Sequence, residues 1–189
     1  MAPLDHFTDA VKAEVLTRYV RTAEPRDGKF DYDVAGQAVG TWFVVGSNGY
    51  AGGETNDGKT EYWKMHLSLA YDYIDSAKLT LSIGDLGGQP TQFAILGDAD
   101  WTKITAASGP VKVELAQRMY TADGKQWSGQ FSTNIVMSPG PAKGTALIEM
   151  TGAETMKVEV FLGKTPAQVT GFTAAAKTYD RGQDAHMIQ

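Results

Sequence analysis

The sequence predicts a mainly β protein: an antiparallel up-and-down β-barrel of about eight to ten strands, with an N-terminal amphipathic helix before it and a short C-terminal helix after it. Three observations carry that reading. From residue 29 to residue 162 the apolar side chains alternate with a period of two, the spacing that sends successive residues to opposite faces of a strand. No helical pattern separates these runs, so a parallel α/β architecture, which needs a crossover helix between strands, is excluded. Turn pairs punctuate the runs. Asp-Gly-Lys occurs at 27–29, 57–59 and 123–125, and Asp-Gly supplies the positive φ angles of a tight hairpin.

The elements follow in order. Residues 4–21 place Leu4, Phe7, Val11, Val15 and Tyr19 at three-to-four spacing, the stripe of an amphipathic helix, with Arg18 and Arg21 near its end, where cations suit the helix dipole. Pro25 and the Asp27-Gly28 pair end it. Strand patterns then run through "KFDYDV" (29–34), "GTWFVVG" (40–46), "EYWKMHLSLAY" (61–71), "KLTLSIG" (78–84) and "TQFAIL" (91–96). They continue through "VKVELAQRMY" (111–120), "FSTNIVM" (131–137), "GTALIEM" (144–150) and "TMKVEVFL" (155–162). In the third run Trp63, Met65, Leu67, Leu69 and Tyr71 share one face, and Tyr62, Lys64, His66 and Ser68 share the other. Thr165 suits an N-cap and Pro166 a first helical position, so 165–189 reads as a short helix and tail, with room for a last strand near 172–179. No linker divides the chain, and 1–189 reads as one domain: helix 4–21, barrel 29–162, short helix and tail 165–189.

Composition excludes several functions. The 189 residues contain no cysteine, which removes disulfides, thiol nucleophiles and thiolate metal sites. Net charge is −5, from 17 basic and 22 acidic residues without a basic run, so neither nucleic acid nor an anionic membrane surface is an expected partner. No apolar run reaches the length of a membrane span, and "MAPLDHF" lacks the charged-then-apolar pattern of a secretory signal. Neither cytoplasm nor periplasm is favoured. No motif calls for a cofactor or a metal; Asp85, Asp98 and Asp100 sit in loops without the spacing of a calcium motif.

One stretch resembles a known family. "FDYDVAGQAVGTWFVVG" is similar to the first-strand motif of the lipocalins, through Asp33, Val34, Gly40, Trp42 and Phe43. The resemblance covers these residues alone, with one residue more than the common spacing between Val34 and Gly40. It implies an eight-stranded barrel whose tryptophan plugs one end and whose interior holds a small apolar ligand. The sequence assigns no late arginine to stack on Trp42, although Arg181 is available. Under this reading the partner is a small-molecule ligand, and Trp42, Phe43, Tyr50, Trp63 and Met65 are the ligand-binding candidates. Tyr50 rides on the glycine-rich loop "GSNGYAGG", a lid or portal over a pocket. The residues alone favour plain core packing for Trp42.

Chemistry, if present, centres on His66, whose pKa lies near neutrality and suits acid–base work. Tyr62 or Tyr71 would polarise a substrate, and Asp72 in "YDYID" would orient the histidine; an isomerase or cyclase needs few such groups. His66 on a solvated face and Asp72 in an Asp-stabilised turn are the competing readings. A carbohydrate-binding β-sandwich using Trp101 and Trp127 is a further alternative. Strand edges left open by incomplete closure would favour a homodimer.

Overall fold

The computed structural model of the protein describes residues 3–19, 26–27, 32–47, 49, 62–129, 132 and 134–182. A 3-10 turn at Pro3–His6 precedes α1 (Asp9–Leu16), and eleven strands follow: β1 (Gly40–Val44), β2 (His66–Tyr71), β3 (Leu79–Leu86), β4 (Gln89–Leu96), β5 (Val111–Gln117), β6 (Tyr120–Ala122), β7 (Lys125–Gln126), β8 (Ile135–Met137), β9 (Ala142–Met150), β10 (Thr155–Leu162) and β11 (Lys177–Asp180). Eight of them close an antiparallel barrel in the order β1-β11-β10-β9-β5-β4-β3-β2, and β7-β6-β8 form a separate three-stranded sheet. Each barrel strand pairs with the next barrel strand along the chain, so the topology is an up-and-down meander interrupted by the small sheet.

The register fixes which residues point inward. Trp42 pairs with Leu67 and Leu67 with Ile83, and all three belong to one core with Leu69, Leu81, Phe93, Leu115, Ile148, Met156 and Tyr179. The alternating partners Phe43, His66 and Ser68 therefore face outward. Part of that outer face is covered as well: Ala94 and Ala116 are fully buried there beneath Met137 of the small sheet. Their lack of bulk gives the second layer its room. Of the three Asp-Gly-Lys turns, the one at 123–125 joins β6 to β7, with Asp123 (φ 51°) and Gly124 (φ 76°) both in the left-handed region of a type I′ hairpin. The turn at 57–59 lies outside the described residues, as does most of the one at 27–29.

Several boundaries differ from the sequence reading. Within the expected helix 4–21, α1 spans Asp9–Leu16 and residues 20–21 lie outside the described residues; the stripe is incompletely covered, with Leu4 buried and Phe7 and Val11 exposed. Its last turn tightens into i→i−3 bonds, with the amides of Thr17, Arg18 and Tyr19 donating to Glu14, Val15 and Leu16. The run 61–71 becomes a strand only at His66, because Tyr62–Met65 forms a 3-10 turn. Gly84, opposite His66 in the register, makes that turn possible: a Cβ there would stand 1.6 Å from the carbonyl oxygen of Trp63. Tyr32–Val34 form no strand, and the rest of "KFDYDV" lies outside the described residues. The C-terminal helix is one 3-10 turn, Pro166–Gln168, begun as expected by Thr165 as N-cap and by Pro166. The barrel extends past 162, because β11 supplies its eighth strand. Among the described residues no helix is long and apolar enough to cross a membrane.

Candidate functional site

The two ends of the barrel differ, and β11 runs from one to the other. At its C-terminal end Arg181 leaves the strand and lies over Trp42, its guanidinium carbon 3.6 Å from the ring centroid. The guanidinium donates to the carbonyls of Gln37 (2.8 Å), Val39 (2.9 Å), Thr41 (3.1 Å) and Val34 (3.3 Å), and pairs with Asp33 at 2.9 Å. The indole N–H of Trp42 donates to Ala38 O at 2.8 Å. Gly40 is what allows this convergence. Its φ is +120°, and a Cβ would meet Asp33 Oδ1 at 1.8 Å and an Arg181 nitrogen at 2.5 Å. Fully buried Trp101, which donates to Ala70 O at 3.2 Å, completes the closed end together with Ile104.

The described residues at the other end leave a recess. A cavity of about 280 Å³ lies there, lined by Ile83, Leu86, Val158, Val160 and Tyr179, with Asp85 and Lys177 among its polar groups. The hairpin between β3 and β4 forms one wall: Gly87 (φ +65°) and Gly88 (φ +87°) make its turn, and the Gly88 amide donates to Asp85 Oδ1 at 2.8 Å. The opposite wall comes from β10 and β11. Lys177 and Tyr179 point inward there, and the Lys177 ammonium stands 3.8 Å from Asp85. Burial first, and then the nearby Asp85 carboxylate, push the Tyr179 phenol up to about 12, so it stays a neutral hydroxyl. A second groove, about 490 Å³, passes Lys78, Leu96 and Asp98 and has mostly polar walls. The concave apolar cavity with a few converging polar groups is the better candidate of the two.

The residues singled out from sequence fall elsewhere. Trp42 stands within the closed end as a plug. Phe43 is buried on the outer face with the His66 ring edge-on to it, centroids 4.8 Å apart. Burial lowers the His66 pKa below its ordinary value, the direction expected of a neutral, partly covered imidazole. Tyr71 packs at the closed end beside Tyr32, at 5.4 Å between rings, and its phenol is raised by burial first and then by Asp100 and Tyr32. Trp63 and Met65, at 40% exposure each, ride on the 3-10 turn rather than on the inner face of a strand. Tyr62 heads that turn, with its side chain outside the described residues, and Tyr50 lies outside them altogether. None of the described candidate side chains lines the mouth cavity.

Asp72 builds a different structure. Fully buried on the outer face, it accepts the amides of Ile74 and Asp75 at 2.9 Å each, Arg118 at 2.9 and 3.2 Å, and the Tyr120 hydroxyl at 2.5 Å. Arg118 also donates to Gln92 and lies between the rings of Tyr73 and Tyr120, at 5.0 and 5.1 Å. This saturated carboxylate ties the small sheet to the barrel wall. It stands six residues along the chain from His66, about 20 Å at strand rise, too far to orient that ring. The carbohydrate alternative loses its geometry: the sheets close into a barrel, and buried Trp101 presents no face to a sugar.

Sequence reasoning missed Lys177 and Tyr179, because four residues of strand are too short to show a period. Asp85 was visible only as a loop acid. No family model, no curated protein and no solved structure matches this chain; its closed antiparallel barrel is consistent with a calycin-like fold.

Proposed function

We propose that the protein binds a small, mainly apolar ligand in the mouth of the barrel, as a lipocalin-like binding protein. The cavity carries this reading: about 280 Å³ lined by Ile83, Leu86, Val158, Val160 and Tyr179, above a core that is otherwise packed. An apolar cavity of about 150 Å³ holds a benzene ring, so this one matches a body of about two fused rings. The Arg181–Trp42 stack beside Gly40 supports the lipocalin likeness, since it closes the end that the resemblance assigns to the tryptophan. An acid–base reading centred on His66 has the histidine on the outer face, away from this cavity.

A thermal-shift titration with 1-naphthalenemethanol, a neutral two-ring probe, tests the proposal. At 100 times its dissociation constant a ligand adds about 2.7 kcal/mol, a readily measured rise in Tm. The wild-type protein shows the rise, and Val160→Trp, which fills the mouth, does not. An equal rise in both proteins, or none in either up to the solubility limit, defeats the proposal.

A further inference from the structure

We infer that the mouth cavity selects an apolar body carrying a protonated amine and disfavours one carrying a carboxylate. This deepens the ligand-binding reading above and rests on it. Among the described residues the charged side chains that face the cavity are the Asp85 carboxylate and the Lys177 ammonium; Glu159, between inward-facing Val158 and Val160, turns its side chain to the outer face of β10, where it accepts from Thr173. The Lys177–Asp85 pair, at 3.8 Å, is longer than a hydrogen bond, and 41% of the lysine side chain is exposed. The lysine can therefore swing to water and surrender its place beside Asp85 at little cost.

A ligand ammonium entering that place meets an Asp85 carboxylate already aimed by the Gly88 amide. A ligand carboxylate would meet the same anchored Asp85, with only the mobile Lys177 to receive it. The net charge of −5 adds steering in the same direction. On this account Lys177 is an internal competitor for the ligand's charged group.

The sign of the Lys177 effect decides the matter. Dissociation constants are measured calorimetrically at pH 7 for 1-naphthylmethylamine, 1-naphthalenemethanol and 1-naphthoate, which share one ring system. The amine should bind about fivefold more tightly than the alcohol, and the naphthoate most weakly. Lys177→Met should tighten the amine about threefold and Asp85→Asn weaken it by a similar factor, with the alcohol changed less than twofold. Naphthoate binding most tightly and being lost in Lys177→Met overturns the inference, as does equal binding of all three probes; both leave the ligand-binding reading standing. Failure of every probe, the alcohol included, overturns both.

Discussion

Gly40 shows how one absent side chain shapes an end of the barrel. Asp33 and Arg181 occupy the space a Cβ would need, and Asp33 Oδ1 also accepts the Thr41 amide at 2.6 Å. Gly40→Ala must push the carboxylate and guanidinium apart, and its φ of +120° adds backbone strain. Arg181→Met leaves Asp33 without its cation and several buried carbonyls without a donor. We predict a loss of about 3–5 kcal/mol for Arg181→Met and a loss of similar size for Gly40→Ala, both read from urea unfolding. Losses below about 1 kcal/mol would show that the end is held by packing alone. The glycine and tryptophan of this cap are legible in sequence because they sit two residues apart. Arg181 is not, because 140 residues separate it from Thr41.

Tyr179 makes a pH-dependent contribution at the same scale. Its folded pKa of about 12 exceeds the ordinary 10.0 of an unfolded tyrosine, so the unfolded chain loses its proton first. The resulting stability is whole below pH 10 and falls away between pH 10 and pH 12. About two pKa units correspond to about 2–3 kcal/mol. Tyr120, raised by burial and by its bond to Asp72, adds to the same alkaline loss. Tyr179→Phe should flatten the decline measured across that window, and an unchanged slope would contradict the assignment.

Among the elements, the β6–β8 sheet depends on contacts no local pattern announces. Its buried anchor is the Asp72 carboxylate, reached by Arg118 and Tyr120 from 46 and 48 residues away. Asp72→Asn removes the charge that holds both. Amide hydrogen exchange should then speed up at Thr121, Ala122 and Ile135–Met137, while Leu81 and Phe93 in β3 and β4 keep their protection. Uniform loss of protection would mean that the sheet and barrel form one cooperative unit. The strand pattern itself was readable: "VKVELAQ", "GTALIEM" and "TMKVEVFL" all lie in barrel strands. The alternation failed at Trp63 and Met65, where a close approach to Gly84 turns the backbone before the strand begins. The N-terminal helix was legible too, although α1 is shorter than its stripe: Phe7 precedes it, and Val11 within it is exposed.

The whole molecule is a closed meander, and closure removes the barrel edges that would have favoured dimerisation; among the described strands, open edges remain on β7 and β8. Closure also concentrates the ligand space. Core side chains from Trp42 to Tyr179 fill the interior below the mouth, which leaves the cavity between the β3–β4 hairpin and β10–β11. Barrel architecture was legible because alternation and turn chemistry are local. The position of the cavity was not, because it depends on which residues of distant strands share an end. Methyl-resolved NMR of the labelled protein titrated with 1-naphthalenemethanol tests the central claim most directly. The account predicts that the methyl signals of Ile83, Leu86, Val158 and Val160 shift together and saturate, while those of Ile104 and Met137 stay still. Shifts centred on Met137 and the small sheet, or on Ile104 at the closed end, would contradict it.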